Sequence, residues 1–216
     1  MSAKRKLSTE FSAEAKHQRT ATALPLIEVR DGQYHVGQAA VEFLASLNAP
    51  LAVVAVAGAY RTGKSFLLNR VLLRRGNGFG VGGTVNACTK GIWLWTEPIE
   101  LEGKQVLIMD TEGLGAVNAT DTHDSRIFAL ALLLSSYFIY NSVGTIGEAA
   151  ISTLSLVANL SKHIRLQSSD ESSAAELAEY FPDFMWVVRD FALELVDEKG
   201  DRIMPQQYLD LSLIHI

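Results

Sequence analysis

The chain has 216 residues and a mass of 23.6 kDa, enough for one sizeable domain and short for two. Apolar residues make up 48 % of it, and 19 basic against 24 acidic residues leave a formal charge of -5, which excludes a broad basic face and removes nucleic acid from the expected partners. The single cysteine, Cys88, excludes an internal disulfide and a multi-cysteine zinc site, and it fits a reducing compartment, so a cytoplasmic location is expected.

Residues 1–22 hold five basic and two acidic residues with almost no apolar periodicity, the pattern of a flexible basic tail. Its Lys4-Arg5-Lys6 cluster is a weak nuclear or anionic-surface signal. A hairpin and a short helix are predicted over 24–47. Ile27 to Arg30 and Gln33 to Val36 flank Asp31-Gly32, a pair that supplies the positive φ angles of a two-residue turn, and the helix runs from Gln38 to Leu47. The main domain is placed at 48–216. Leu51 to Ala57 is a continuous apolar run that predicts a buried strand. Lys64 to Arg74 predicts a helix that Gly76 stops, and the glycine-rich stretch 76–90 predicts a long mobile loop.

Strands follow at Ile92 to Trp95 and Gln105 to Met109, with a turn at Glu102-Gly103. A helix is expected over Ser125 to Leu134, a strand over Tyr137 to Tyr140, and a helix over Glu148 to Ile164. Ser168 to Asp183, acidic and without a basic residue, predicts an exposed loop before a last strand at Phe184 to Val188. The apolar stretch Ile127 to Tyr140 is 14 residues long, against about 20 for a bilayer-crossing helix, and reads as core. Strands alternating with helices give the α/β class, a mostly parallel sheet with helices on both faces.

The segment Gly58-Ala59-Tyr60-Arg61-Thr62-Gly63-Lys64-Ser65 fits the phosphate-binding pattern G-x-x-x-x-G-K-[ST] between a buried strand and a helix. Its glycines let backbone approach phosphate, its amides and the helix start face the anion, Lys64 reaches the β- and γ-phosphates, and Ser65 ligates magnesium. Asp110-Thr111-Glu112-Gly113 ends the strand Gln105 to Met109. Asp110 there can hold magnesium, and Gly113 can offer its N–H to a γ-phosphate. The glycine loop, with Gly82 and Gly83 counted among the nucleotide-binding residues, ends at Cys88-Thr89-Lys90-Gly91, where the Thr89 hydroxyl can complete the magnesium shell. Arg189-Asp190 closes the last strand, and the Asp190 carboxylate can accept both N–H donors of guanine, which selects GTP over ATP.

Together GAYRTGKS, CTKGIWLW, DTEGLG, FALALLLSSYFIYNSVGTI and FPDFMWVVRDF resemble the guanylate-binding protein family of large dynamin-related GTPases. The resemblance covers about Leu24 to Leu213 and implies a P-loop G domain that hydrolyses GTP to GDP, in some members on to GMP. It also implies that G domains pair face to face on nucleotide, as a homodimer. Arg61 then matches an internal arginine finger, Thr89 the switch threonine, Glu112 the acidic residue of the water network, and Arg189 with Asp190 the guanine-recognition pair. Leu114 stands where a Ras-like glutamine would follow Gly113, and Ala87 stands where well-studied members carry a serine thought to relay a proton. Family G domains are longer, so the chain is expected to be an N-terminal fragment, with any membrane association carried by a region beyond residue 216. Two alternatives stand beside this reading: a GTP-binding interaction module with weak or no hydrolysis, favoured by Ala87, and an atlastin-like membrane-fusion GTPase.

Overall fold

The computed structural model describes residues 21–81, 90–115, 121–148, 150–155, 159, 181–197 and 199–214. Strands β1 (Ala23–Arg30) and β2 (Gln33–Val36) form the expected hairpin. Asp31 and Gly32 take φ of 52° and 75°, the two left-handed residues whose twist suits antiparallel strands. Then come α1 (Gln38–Ala45), β3 (Leu51–Ala57), α2 (Lys64–Leu67) with a π-helical turn at Leu68–Leu72, and β4 (Ile92–Trp95). Strands β5 (Ile99–Leu101) and β6 (Lys104–Thr111), helix α3 (Asp121–Leu134), β7 (Tyr137–Val143), β8 (Asp183–Arg189) and α4 (Pro205–Ile214) complete the order. Residues 1–20 of the basic tail and residues 160–180 lie outside the described residues.

The α/β class holds, on a mixed eight-stranded sheet of order β2-β1-β4-β6-β3-β7-β8, with β5 paired to β6. Its parallel strands are β6, β3, β7 and β8, while β1, β2, β4 and β5 join antiparallel. Alternation along the strands separates two cores. Ala55, Ala57, Leu107, Met109 and Phe138 face α1 and α3, whereas Val56, Ile108 and Ile139 face Leu68, Phe79 and Trp95. The apolar stretch Ile127 to Tyr140 supplies Phe128, Ala131, Phe138 and Tyr140 to the first core. Among the described residues no helix is long and apolar enough to cross a membrane.

Three expectations need correction. Strand β5 was not expected, and the Glu102-Gly103 turn joins β5 to β6 rather than β4 to β6. The helix expected over Lys64 to Arg74 keeps α geometry only to Leu67. Leu73 N–H then bonds Leu68 O at 2.9 Å, a π-type bond one residue wider than the α ladder, and Arg74, with φ 51°, rather than Gly76 takes the left-handed conformation. Within this turn Asn69 is buried and bonds both backbone groups of Phe79. Phe79 N–H donates to Asn69 Oδ1 at 2.8 Å, and Asn69 Nδ2 donates to Phe79 O at 2.9 Å. The described part of the expected mobile loop is therefore fastened at buried Phe79.

Candidate functional site

The chain passes from β3 to β6 on one side and later to β7 on the other. The phosphate-binding sequence thus leaves β3 at the switch point, beyond the carboxyl ends of the strands, where open α/β sheets bind ligands. Gly58 has φ 146°, and a Cβ there would sit 2.0 Å from Asn141 O, so only glycine lets the loop leave the sheet past β7. The loop turns through left-handed residues at Arg61 (φ 61°) and Gly63 (φ 77°), closed by Thr62 Oγ1 donating to Ala59 O at 2.9 Å. Helix α2 then starts at Lys64, and a first helical turn leaves backbone N–H groups without intrahelical acceptors.

The Lys64 side chain is buried, with Nζ donating to Ala59 O at 3.0 Å. Burial pulls its pKa below the ordinary 10.5, and the charges of Asp110 and Glu112 oppose that pull. Ser65 Oγ donates to Asp110 Oδ2 at 2.5 Å, and Asp110 is fully buried at the end of β6. A hydroxyl beside a carboxylate is an all-oxygen donor set that suits a hard cation keeping most of its water and phosphate ligands. Among the described residues, no group of three or more His, Cys, Asp or Glu could hold a metal ion.

The Asp110–Gly113 segment lies directly on the phosphate loop. Tyr60 N–H donates to Leu114 O at 2.7 Å and Leu114 N–H donates to Gly58 O at 3.1 Å, a parallel bridge between Ala59 and Leu114. A Cβ on Gly113 would stand 2.5 Å from Tyr60 Cα and 2.9 Å from Lys64 Nζ, so the glycine is required for the close approach of the two motifs as well as for an unobstructed N–H.

Glu112 joins this segment to the start of β4. Its N–H donates to Gly91 O at 2.8 Å, and its Oε2 accepts from Gly91 N–H at 3.0 Å. The same oxygen meets His123 Nε2 at 3.1 Å, and His123 Nδ1 meets the Tyr34 hydroxyl at 3.1 Å. Sequence reasoning missed Tyr34 and His123, and no local pattern marks either.

Arg189 ends β8 and lies behind the phosphate loop, with Nη1 donating to Thr62 O at 2.8 Å. Asn141 Nδ2 donates to that carbonyl as well, at 3.0 Å, and a Cβ on Gly63 would meet Arg189 Nη1 at 2.2 Å. Asp190 follows, exposed and left-handed with φ 52°. Exposed Phe66 has the Arg189 and Arg70 guanidinium carbons 6.0 and 5.7 Å from its ring centroid. Exposed Arg61 has its own 5.6 Å from the Tyr60 centroid. The fold thus brings residues 58–65 together with Asp110, Glu112, Gly113 and Arg189, and sets Asp190 at the same carboxyl end of the sheet. Gly82, Gly83, Ala87 and Thr89 lie outside the described residues.

The family profile described as "Guanylate-binding protein, N-terminal domain" matches residues 31–216. The chain is 43 % identical over 196 residues to guanylate-binding protein 1 of Homo sapiens, across 87 % of this chain and 33 % of that protein. It is 44 % identical over 194 residues to guanylate-binding protein 4 of Homo sapiens, across 87 % of this chain and 30 % of that protein. To guanylate-binding protein 1 of Mus musculus it is 44 % identical over 194 residues, across 87 % of this chain and 33 % of that protein. The chain spans about a third of the length of the curated relatives it matches.

Proposed function

The chain belongs to the guanylate-binding protein family, and on that premise we propose that it binds GTP with magnesium and hydrolyses it to GDP, its G domain pairing with a second copy when nucleotide is bound. One observation carries this reading. The buried Lys64, the Ser65–Asp110 pair and the Gly113 approach converge on one loop at the switch point of the sheet. That convergence supplies a cation, an oxygen pair for a metal and close-packed backbone, the groups that phosphoryl transfer to water requires. Magnesium, when bound, neutralises charge on the β- and γ-phosphates, and Ser65 and Asp110 with Thr89 are the residues that would hold it.

The chain's own residues do the rest. Lys64 exchanges its bond to Ala59 O for phosphate oxygens, Gly113 offers its N–H to the terminal phosphate, and Glu112 orients the attacking water. Arg189 holds the phosphate loop through Thr62 O while Asp190 accepts the two guanine N–H donors. Arg61, exposed on a left-handed backbone, is the arginine that reaches the transferring phosphoryl group when two G domains pair.

Fluorescent-GTP binding tests the site. Lys64→Ala is expected to weaken affinity by about 100-fold or more, the scale of losing charge-assisted bonds to phosphate, while circular dichroism stays that of the parent. Equal affinity in the variant would refute the phosphate assignment. Ala87 favours a second reading, a GTP-binding interaction module with little hydrolysis. Turnover with chromatography of GDP and GMP separates the two.

A further inference from the structure

A carboxylate that is to orient water must itself be held, because a freely rotating glutamate spends most of its time elsewhere. Glu112 is held unusually. Both of its side-chain hydrogen bonds to described residues land on Oε2, one from Gly91 N–H at 3.0 Å and one from His123 Nε2 at 3.1 Å. Among the described residues that leaves Oε1 as the oxygen with lone pairs for a water. The carboxylate is also close enough to the phosphate end of the site for its charge to act on Lys64.

We propose that His123 is a positioning residue for hydrolysis, one that fixes the Glu112 carboxylate and is itself fixed by Tyr34; the claim rests on the function proposed above. His123 comes from the first turn of α3 and Tyr34 from β2 in the N-terminal hairpin. The two rings stack with centroids 5.9 Å apart, and the Arg126 guanidinium lies 6.0 Å from the Tyr34 centroid. The distances fit one relay. The Tyr34 hydroxyl donates to Nδ1, which leaves the proton on Nε2 to donate to Oε2 and sets the imidazole tautomer from outside the site. The side chains of His123 and Glu112 are only 18 % and 11 % exposed, so solvent does not screen the contact as it does a surface pair. A glutamate held only by the Gly91 amide would keep its place along the chain but regain freedom about its outer torsions.

The experiment compares the parent chain with His123→Ala, His123→Gln and Tyr34→Phe, measuring GTP turnover at saturation and fluorescent-GTP affinity separately, with melting temperature as the check on folding. His123→Ala is expected to lower the turnover rate by about 10- to 100-fold, the scale of a displaced catalytic group, with affinity changed less than about threefold. His123→Gln, whose amide can donate to Oε2, is expected to recover most of the rate, and Tyr34→Phe to lose a smaller part of it. A purely structural staple would instead lower melting temperature and affinity together, without rescue by glutamine, and that result overturns the proposal. Turnover that His123→Ala leaves unchanged overturns the positioning role alone. A parent chain that binds GTP but never turns it over overturns hydrolysis and the positioning role together, and one that binds no GTP overturns the site itself.

Discussion

Gly113→Ala is the sharpest probe of how the two phosphate-site motifs are joined. The added carbon would start 2.5 Å from Tyr60 Cα and 3.0 Å from Tyr60 N, whereas carbon atoms rest at about 3.5 to 4.0 Å. The motifs must therefore separate by about 1 Å, and the obstacle is backbone, which cannot rotate away. Overpacking of this kind costs about 1–3 kcal/mol. The separation also strains the bonds from Tyr60 N–H to Leu114 O and from Leu114 N–H to Gly58 O, each worth about 0.5–1.5 kcal/mol. The sum is about 2–6 kcal/mol, which at a urea slope of about 2 kcal/mol/M lowers the unfolding midpoint by roughly 1–3 M. Gly147→Ala is the control: its Cβ would meet nothing within 4 Å, so it should stay within about 0.5 kcal/mol of the parent. Chemical denaturation followed by tryptophan fluorescence measures both. A Gly113→Ala midpoint indistinguishable from that of Gly147→Ala would show that the close approach carries no stability, and the argument would fail.

Asp190→Asn should lower the GTP-to-ATP affinity ratio by about 10-fold or more, since an amide cannot accept both guanine donors; competition binding with the two nucleotides reads this, and an unchanged ratio moves base recognition elsewhere. Arg61→Ala in a full-length protein should flatten the rise of specific activity with protein concentration while GTP affinity changes much less. A rise that persists undiminished would end the arginine-finger role. Burial raises the Tyr140 phenol above its ordinary 10.0. The folded chain then binds more protons than the unfolded one above that pH, so stability is full below it and falls as pH climbs toward the folded pKa. Tyrosinate absorbance on alkaline titration should lose its latest component in Tyr140→Phe, and a titration curve unchanged in that component would refute the assignment.

What was legible in the sequence is what adjacent residues decide among themselves. Asp31-Gly32 fixes a hairpin through the φ preferences of two neighbours, and β3 and the phosphate loop are read from contiguous patterns. What was not legible depends on partners far along the chain. The bond from Arg189 to Thr62 spans 127 positions, and Tyr34 to His123 spans 89. Asp110 and Gly113 could be named from their motif, but not the fact that Gly113 admits the Tyr60 backbone. Strand β5 was invisible because all three of its residues are exposed and none carries a core-facing period. The π-helical turn had a faint signal, an asparagine inside a helical pattern, whose meaning required Phe79 to be in view.

The fastening of Phe79 to Asn69 acquires a wider meaning when set beside the two bonds between Gly91 and Glu112. These are two mooring posts, and the stretch of chain strung between them carries Thr89. One post stands on the helix that begins at Lys64, and the other on the strand end that begins with Asp110. Their spacing is therefore a property of the two motifs: any shift of the phosphate loop and its helix against the Asp110–Gly113 segment carries Phe79 one way and Gly91 the other, as two piers of a bridge move with their own banks.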